Sequence, residues 1–86
     1  MKVFKLIDGD VLQVELPTGH TQEELVREAE KEIDEMAEQL YGKNLKINGR
    51  ITTGMSLMLG HKLAHICKTV SVFDPKEKRY IVCVQH

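Results

Sequence analysis

Two histidines four residues apart, His61 and His65, are the first residues whose type and spacing could do chemistry. On a helix, side chains at this spacing share one face, so both imidazoles could address one metal ion or one phosphate. The glutamate of the HExxH zinc pattern is absent, because Lys62, Leu63 and Ala64 separate the histidines. A merely exposed or structural pair at a helix end is the alternative interpretation.

Asp74 is a second candidate, because it follows a β-rich run and precedes Pro75. From the end of a strand, a carboxylate can coordinate a divalent cation or orient a water molecule. It can equally serve only its own backbone, as aspartate does in an ordinary Asp-Pro turn. His86 is the last residue of the sequence, where fraying competes with a functional interpretation.

The strongest phosphate signal is Gly49-Arg50, between a predicted strand and a predicted helix. A glycine there permits close approach of the backbone, and the free N–H groups of a helix N-terminus attract anions. A left-handed turn with a solvated arginine is the competing interpretation. Further along the chain, more positive charge comes from Lys62, Lys68, Lys76, Lys78 and Arg79.

Charge is divided unevenly between the two halves of the chain. Residues 1–43 contain five Lys or Arg against eleven Asp or Glu, whereas residues 44–86 contain seven against two. Eight of the acidic residues lie between Glu23 and Glu38 and are expected to form the solvated face of one helix. An anionic ligand is therefore expected to bind the second half.

The length and composition indicate one small globular domain. The chain has 86 residues, of which 42% are hydrophobic and 29% charged. A core of this size gives marginal stability, which favours association of subunits. Cys67 and Cys83 show no CxxC spacing, so neither a disulfide framework nor a zinc knuckle is indicated. The apolar runs are short and Lys2 and Lys5 interrupt the N-terminus, so we expect no membrane span, no secretory signal and a cytoplasmic location.

The elements that must position these residues follow in the order β-β-α-β-α-β-β. Thr21 and Glu24 form a capping box that predicts the start of the first helix, and Gly42 predicts its end. Thr52 or Thr53 can cap the second helix. The predicted strands are 3–7, 11–16, 45–48, 69–73 and 80–85, and the predicted helices are about 21–40 and about 52–66. These elements predict an α+β fold in which both helices cover one face of a mixed sheet, with a right-handed parallel crossover around the second helix.

The predicted second helix is apolar on more than one side. No charged residue lies between Ile51 and Gly60, and the apolar stripe is joined by small residues at Ser56, Gly60 and Ala64. A sheet can cover one side, while small residues let another backbone approach closely. We interpret the small-residue side as a contact between subunits.

The predicted hairpin at the end of the chain fixes the spacing of the candidate residues. A four-residue turn pairs Asp74 with Arg79 and brings His86 opposite Cys67, close to His65. Asp74 then lies five or six residues away along the hairpin, roughly 17 to 20 Å from the histidines. One subunit cannot bring all three groups together, so a second molecule is required.

The candidates fall within short segments that form a known pattern: Ile47-Asn48-Gly49-Arg50, His61-Lys62, His65, Val70-Ser71-Val72-Phe73-Asp74-Pro75-Lys76, 82–84 and Gln85-His86. Together these segments resemble the small Csx-type proteins of type III CRISPR systems. The resemblance covers residues 47–86, and the N-terminal half agrees only in element order. It implies a ferredoxin-like sandwich, cleavage of cyclic tetra-adenylate or deadenylation of RNA, dependence on manganese, and a cyclic ligand held between dimers.

The resemblance also implies roles for individual residues. His65, Asp74 and His86 match the family's functional His, Asp and His, which implies catalysis and binding of Mn²⁺, or alternatively Mg²⁺, at these positions. Lys76 is also an implied catalytic residue, at a position where the family more often has arginine. Lysine keeps the positive charge but cannot donate the paired hydrogen bonds of a guanidinium. The implied ligand-binding residues are Gly49, Arg50, His61 and Lys62.

Three functions remain open from the sequence. The leading hypothesis is a ring nuclease that cleaves cyclic tetra-adenylate and so switches off type III CRISPR signalling. The alternatives are a manganese-dependent exoribonuclease that removes 3′ adenosines from linear RNA, and a receptor that binds cyclic oligoadenylate without cleaving it. A homodimer or homotetramer with an oligoadenylate partner is expected, with no DNA or membrane partner.

Overall fold

The computed structural model describes residues 1–85, which form five strands and three helices. The predicted element order is confirmed, except that the last part of the predicted first helix forms a separate short helix. The elements are β1 (Phe4–Ile7), β2 (Val11–Val14), α1 (Gln22–Glu35), α2 (Ala37–Leu40), β3 (Asn44–Asn48), α3 (Thr53–Ala64), β4 (Thr69–Asp74) and β5 (Arg79–Gln85). None of the helices in residues 1–85 is long and apolar enough to span a bilayer.

The five strands form one mixed sheet in the order β1-β2-β3-β4-β5. The helical connections make β2, β3 and β4 parallel, whereas short turns make β1 and β5 antiparallel to their neighbours. The predicted α+β class, the mixed sheet and the parallel crossover around α3 are confirmed. The strand order differs from that of a ferredoxin-like sandwich, because no strand lies between two parallel strands that a helix joins.

Both long helices pack on one face of the sheet, as predicted. Side chains alternate along each strand, so every second residue points towards the helices. Leu12, Ile47 and Val70 of the strands are buried in one cluster with Ile33 of α1 and Leu59 of α3. Within residues 1–85, no helix covers the opposite face, which is called the open face below.

Both predicted helix starts are confirmed by their caps. Thr21 Oγ1 accepts a hydrogen bond from the Glu24 N–H at 3.2 Å, and the Glu24 carboxylate accepts one from the Thr21 N–H at 2.7 Å. Thr52, rather than Thr53, caps α3, since its Oγ1 accepts from the Met55 N–H at 3.3 Å. Local side-chain chemistry therefore sets where each helix begins.

The outer face of α1 is acidic, but Glu32 departs from the predicted solvated pattern. It is 5% exposed, and its carboxylate accepts hydrogen bonds from the backbone N–H groups of Val3, at 2.9 and 3.1 Å, and Phe4, at 2.9 Å. Burial raises the pKa of Glu32, a hydrogen bond with Glu28 raises it further, and the backbone donors oppose the rise. This carboxylate anchors the start of the sheet to α1.

Candidate functional site

The carboxyl ends of the parallel strands β3 and β4 meet at one edge of the sheet, near the start of α3. An open depression of about 520 Å³, the carboxyl-edge depression, lies there. In open α/β sheets, ligands commonly bind outside the carboxyl ends of the strands, so this depression is the first candidate for the predicted phosphate site. Its lining residues are Asn48, Gly49, Arg50, Ile51, Phe73 and Pro75.

The backbone geometry at Gly49 allows only glycine. Its φ is +115°, and a Cβ atom would lie 2.6 Å from the backbone oxygen of Val14. The backbone at Gly49 is therefore closely approached, as predicted from the sequence, and the group that approaches it is the backbone of β2. Because the chain leaves β3 at this turn, Arg50 is exposed on the wall of the depression.

The N-terminus of α3 begins shortly after Arg50 and adds polar donors. Thr52 Oγ1 accepts a hydrogen bond from the Met55 N–H, and the same hydroxyl donates one to the side chain of Gln22. The N–H groups of Thr53 and Gly54 precede the first intrahelical hydrogen bond, so they have no acceptor within the helix. The Arg50 guanidinium favours an anion at this edge, and the partial positive charge of the nearby helix N-terminus adds to the attraction.

Asp74 closes β4 and organises the turn that follows. Its Oδ1 accepts hydrogen bonds from the N–H of Lys76 at 2.9 Å and of Glu77 at 3.4 Å, while its backbone oxygen accepts from the Lys78 N–H at 2.7 Å. The structural alternative from the sequence is thus present. Within residues 1–85, Oδ2 makes no hydrogen bond, so the same carboxylate has one oxygen left for a ligand.

The positive side chains around Asp74 are not equally available. Arg79 lies opposite Asp74 in the β4–β5 register, as predicted, but its guanidinium donates two hydrogen bonds to Glu77, at 3.0 and 3.1 Å. Lys76 and Lys78 are exposed and have no ion pair in the described part of the chain. Lys76 is the nearer in sequence to Asp74 and remains a predicted site residue.

The predicted histidines lie together at the other end of the helix. His61 and His65 are exposed, their ring centroids are 5.1 Å apart, and the rings meet edge to face. Lys62 is engaged with α1, because its Nζ donates to the Asp34 carboxylate at 2.9 Å and lies 3.9 Å from Glu30. The Asp34 hydrogen bond raises the pKa of Lys62. The contact gives Lys62 a structural role, and its ligand-binding role stays a prediction.

The structure places Asp74 and the two imidazoles at opposite ends of β4. His65 caps the C-terminus of α3, shortly before the first residue of β4, and Asp74 is the last residue of β4. The six residues of the strand span roughly 17 to 20 Å. Among residues 1–85, no three His, Cys, Asp or Glu side chains are grouped so that they could hold a metal ion. The third predicted ligand, His86, lies outside the described residues. No family model, curated protein or solved structure matches the chain.

An apolar groove of about 260 Å³ lies between α3 and the β4–β5 end of the sheet. It exists because α3 covers β4 only in part and no further helix in residues 1–85 covers β5. A Cβ atom at Gly60 would meet nothing within 4 Å, so this side of α3 is open. The small-residue side, interpreted above as a subunit contact, therefore borders unfilled space. The groove is lined by Ile47, Ile51, Ser56, Leu59, Gly60, Val70, Val72, Cys83 and Val84.

An aromatic pair on the open face was not among the residues that the sequence predicted. Phe73 and Tyr80 are direct partners in the β4–β5 register, and their ring centroids are 5.3 Å apart. The Nζ of Lys46 lies 6.0 Å from the centroid of the Tyr80 ring. The predicted pairing of Asp74 with Arg79 already implied the first contact, because the preceding pair in that register is 73 with 80.

Proposed function

We propose that this protein is a ring nuclease that cleaves cyclic tetra-adenylate and so ends type III CRISPR signalling, acting as a homodimer or homotetramer in the cytoplasm. The substrate and the biological setting come from the resemblance of residues 47–86 to the small Csx-type proteins. The geometry supports a phosphate site at the carboxyl-edge depression. It also supports a reaction centre shared between copies.

The observation that carries the proposal is the separation of two groups of polar side chains by the length of β4. One end bears His61 and His65, and the other bears Asp74 beside the exposed Lys76 and Arg50. Among the described residues, the end with the carboxylate has no imidazole, and the end with the imidazoles has neither Asp74 nor Arg50. Two copies that bring opposite ends together around one ligand would complete the set, and the apolar groove offers a surface for association.

The donor chemistry of these groups fits a divalent cation such as Mn²⁺. Imidazole nitrogen suits transition-metal ions, and carboxylate oxygen suits Mn²⁺ and Mg²⁺. Asp74 Oδ2 is available, and the imidazoles of His65 and, by resemblance, His86 are the other predicted ligands. When bound, the metal ion would supply positive charge to the phosphorus oxygens. Within residues 1–85, one chain does not group three such ligands.

The chain's own residues would act on the phosphodiester in three ways. Arg50 and the N-terminal N–H groups of α3 bind a phosphate, and Lys76 offsets the negative charge that grows on its oxygens. An imidazole, with His65 as the described candidate, takes the proton of the attacking hydroxyl, which comes from water or the neighbouring ribose. The attacking oxygen then bonds to phosphorus, the bond from phosphorus to the leaving oxygen breaks, and the leaving oxygen takes up a proton. The Asp74 carboxylate is held in place by the two N–H donors of its turn, and it coordinates the divalent cation or orients a water molecule.

Incubation of the full chain with cyclic tetra-adenylate and Mn²⁺ tests the activity. We expect linear products from the wild type and at least about a 100-fold lower rate from His65→Ala and Asp74→Asn, the size of effect typical of acid–base groups. Asparagine keeps the Oδ1 acceptor of the turn and removes the charge, so Asp74→Asn separates chemistry from folding. A folded wild type that gives no linear product from the cyclic substrate refutes the ring nuclease.

Mixing the two inactive variants tests the shared site. In a dimer that carries one copy of each, one site holds both changes and the other holds neither. Random association makes half of the dimers mixed, so we expect about a quarter of the wild-type activity to return. If the site lies within one chain, the mixture stays as inactive as either variant alone.

The two alternative functions give different products from the same assay. An exoribonuclease would shorten linear tetra-adenylate from its 3′ end faster than it opens the ring. A receptor would bind cyclic tetra-adenylate without turnover, and Asp74→Asn would then leave its response unchanged. In every case, a phosphate site should bind more weakly as salt rises.

A further inference from the structure

The open face of the sheet is polar in its middle and aromatic at one end. In one row across the sheet, Val11 pairs with Lys46, Lys46 with Ser71, and Ser71 with Val82. Two polar residues thus separate two valines, so this row is not a continuous apolar surface. A partner that needs an extended hydrophobic contact fits such a row poorly.

The aromatic end consists of Phe73 and Tyr80, with Lys46 reaching towards them. Phe73 is 37% exposed, and the Lys46 side chain is 45% exposed. The Lys46 ammonium lies 6.0 Å from the Tyr80 ring centroid and 3.7 Å from an Asp10 carboxylate oxygen. Because that ion pair is exposed, it holds the ammonium only weakly. An aromatic surface beside an exposed cation can take a planar ring and an adjacent phosphate.

This aromatic end is continuous with the candidate phosphate site. Phe73 and Asn48 line the carboxyl-edge depression together with Gly49 and Arg50. The Asn48 amide donates to Gln13 Oε1 at 3.1 Å, which leaves its own Oδ1 as an acceptor at the same wall. A nucleotide whose phosphate lies beside Arg50 therefore has an aromatic surface and an amide acceptor next to it.

We propose that Phe73 and Tyr80, with Lys46, form a base-stacking subsite for a purine of single-stranded oligoadenylate, whose phosphate lies at Gly49-Arg50. The choice of adenine rests on the proposed function. The stacking itself rests on the ring pair, the cation and the shared wall. Sheet surfaces that bind single-stranded RNA use exposed aromatic residues on neighbouring strands in the same way.

Binding of linear tetra-adenylate without added metal tests the subsite without cleavage. The double variant Phe73→Leu with Tyr80→Leu should bind about 5- to 150-fold more weakly, the range that loss of stacking on one base gives. The matched variant Phe73→Tyr with Tyr80→Phe keeps both rings and should bind as the wild type does. A ribose-phosphate tetramer without bases should bind weakly and equally to all three proteins.

Tyrosine emission gives a second readout of the same contact. The chain contains two tyrosines and no tryptophan, so Tyr41→Phe leaves Tyr80 as the only emitter. Tetra-adenylate should change the emission of this variant, and the tetramer without bases should not. Thermal melting of each variant shows whether the fold is intact.

Two results would overturn the subsite: the double variant binds tetra-adenylate as tightly as the wild type, or the wild type binds the two tetramers with equal affinity. In the first case, the mass of the double variant in solution is also compared with that of the wild type, and a smaller assembly is the last result to consider. The last result would make the open face an interface between copies. Cleavage of cyclic tetra-adenylate is scored separately. A wild type that binds through its bases but never opens the ring refutes the proposed function and leaves the subsite standing.

Discussion

The two long helices differ in how completely residues 1–85 cover them. α1 buries one stripe, including Leu25 and Ile33, and turns charged residues to solvent on its other side. α3 buries Met55, Leu59 and Leu63, yet Leu57 is 74% exposed and the apolar groove lies alongside. The apolar side of α1 is buried within one chain, whereas part of the apolar surface of α3 is exposed. We infer that α1 serves the fold and that α3 serves association and the site.

The largest effect on folding should come from the only buried carboxylate of α1. Glu32→Ala leaves the N–H groups of Val3 and Phe4 without their acceptor, so we expect the free energy of unfolding to fall by about 2–4 kcal/mol. Urea denaturation measures the change. The folded fraction of Glu32→Ala should keep its affinity for oligoadenylate. If this variant lost affinity and kept its stability, α1 would not serve the fold alone.

The largest effect on association should come from the groove beside α3. Gly60→Glu places a charge where a Cβ atom meets nothing within 4 Å, so the monomer tolerates it while an apolar contact between copies does not. We expect a monomer in sedimentation experiments and loss of ring cleavage. Gln39→Glu makes the same charge change at an exposed position of α2 and should leave the assembly intact. An unchanged mass for Gly60→Glu would remove the groove as the interface.

A moderate effect should appear in the pH dependence of stability. Because the pKa of Glu32 is raised in the folded protein, its contribution is fully present below the unfolded value near 4.5 and is lost as pH rises through the folded pKa. Glu28→Gln removes the neighbouring carboxyl, so the pKa of Glu32 should fall and the loss should shrink. Unfolding measured between about pH 4 and 7 in both proteins gives the difference. Identical slopes would mean that Glu28 has no part in the shift.

The smallest effect should come from the contact that joins the two helices. Lys62→Met breaks the exposed ion pairs with Asp34 and Glu30, so stability should drop slightly at low salt and not measurably at about 1 M salt. Asp34→Asn is the matched control for the structural role. If Lys62→Met weakens oligoadenylate binding and Asp34→Asn does not, the predicted ligand-binding role of Lys62 is supported.

The sequence predicted the features that short-range chemistry determines. The capping box of Thr21 with Glu24 and a cap at Thr52 or Thr53 each act within a few residues. The capping box is confirmed, and Thr52 forms the second cap. The pairing of Asp74 with Arg79 also followed from the length of one turn. These predictions needed no knowledge of how distant elements pack.

The features that the sequence did not predict depend on distant contacts. Glu32 looked like one more solvated acid, because its N–H partners are 28 and 29 residues away in the chain. The predicted first helix ends at Met36, whose N–H donates to the backbone oxygens of both Glu32 and Ile33, and the short helix α2 follows. The approach of Lys46 to Tyr80 requires the order of the strands. The separation of Asp74 from His65 along β4 was therefore predicted, while the grouping of Lys46 with the aromatic pair was not.

The two thiols differ in exposure, which gives a direct test of the proposed association. Cys67 is buried and its Sγ contacts the Leu40 carbonyl oxygen, and burial raises the pKa of its thiol. Cys83 is exposed and lines the apolar groove. A thiol-specific reagent should therefore label Cys83 in a dilute, dissociated sample and leave Cys67 unmodified. Slower labelling at higher protein concentration would reveal, without any engineered probe, how often the groove is occupied.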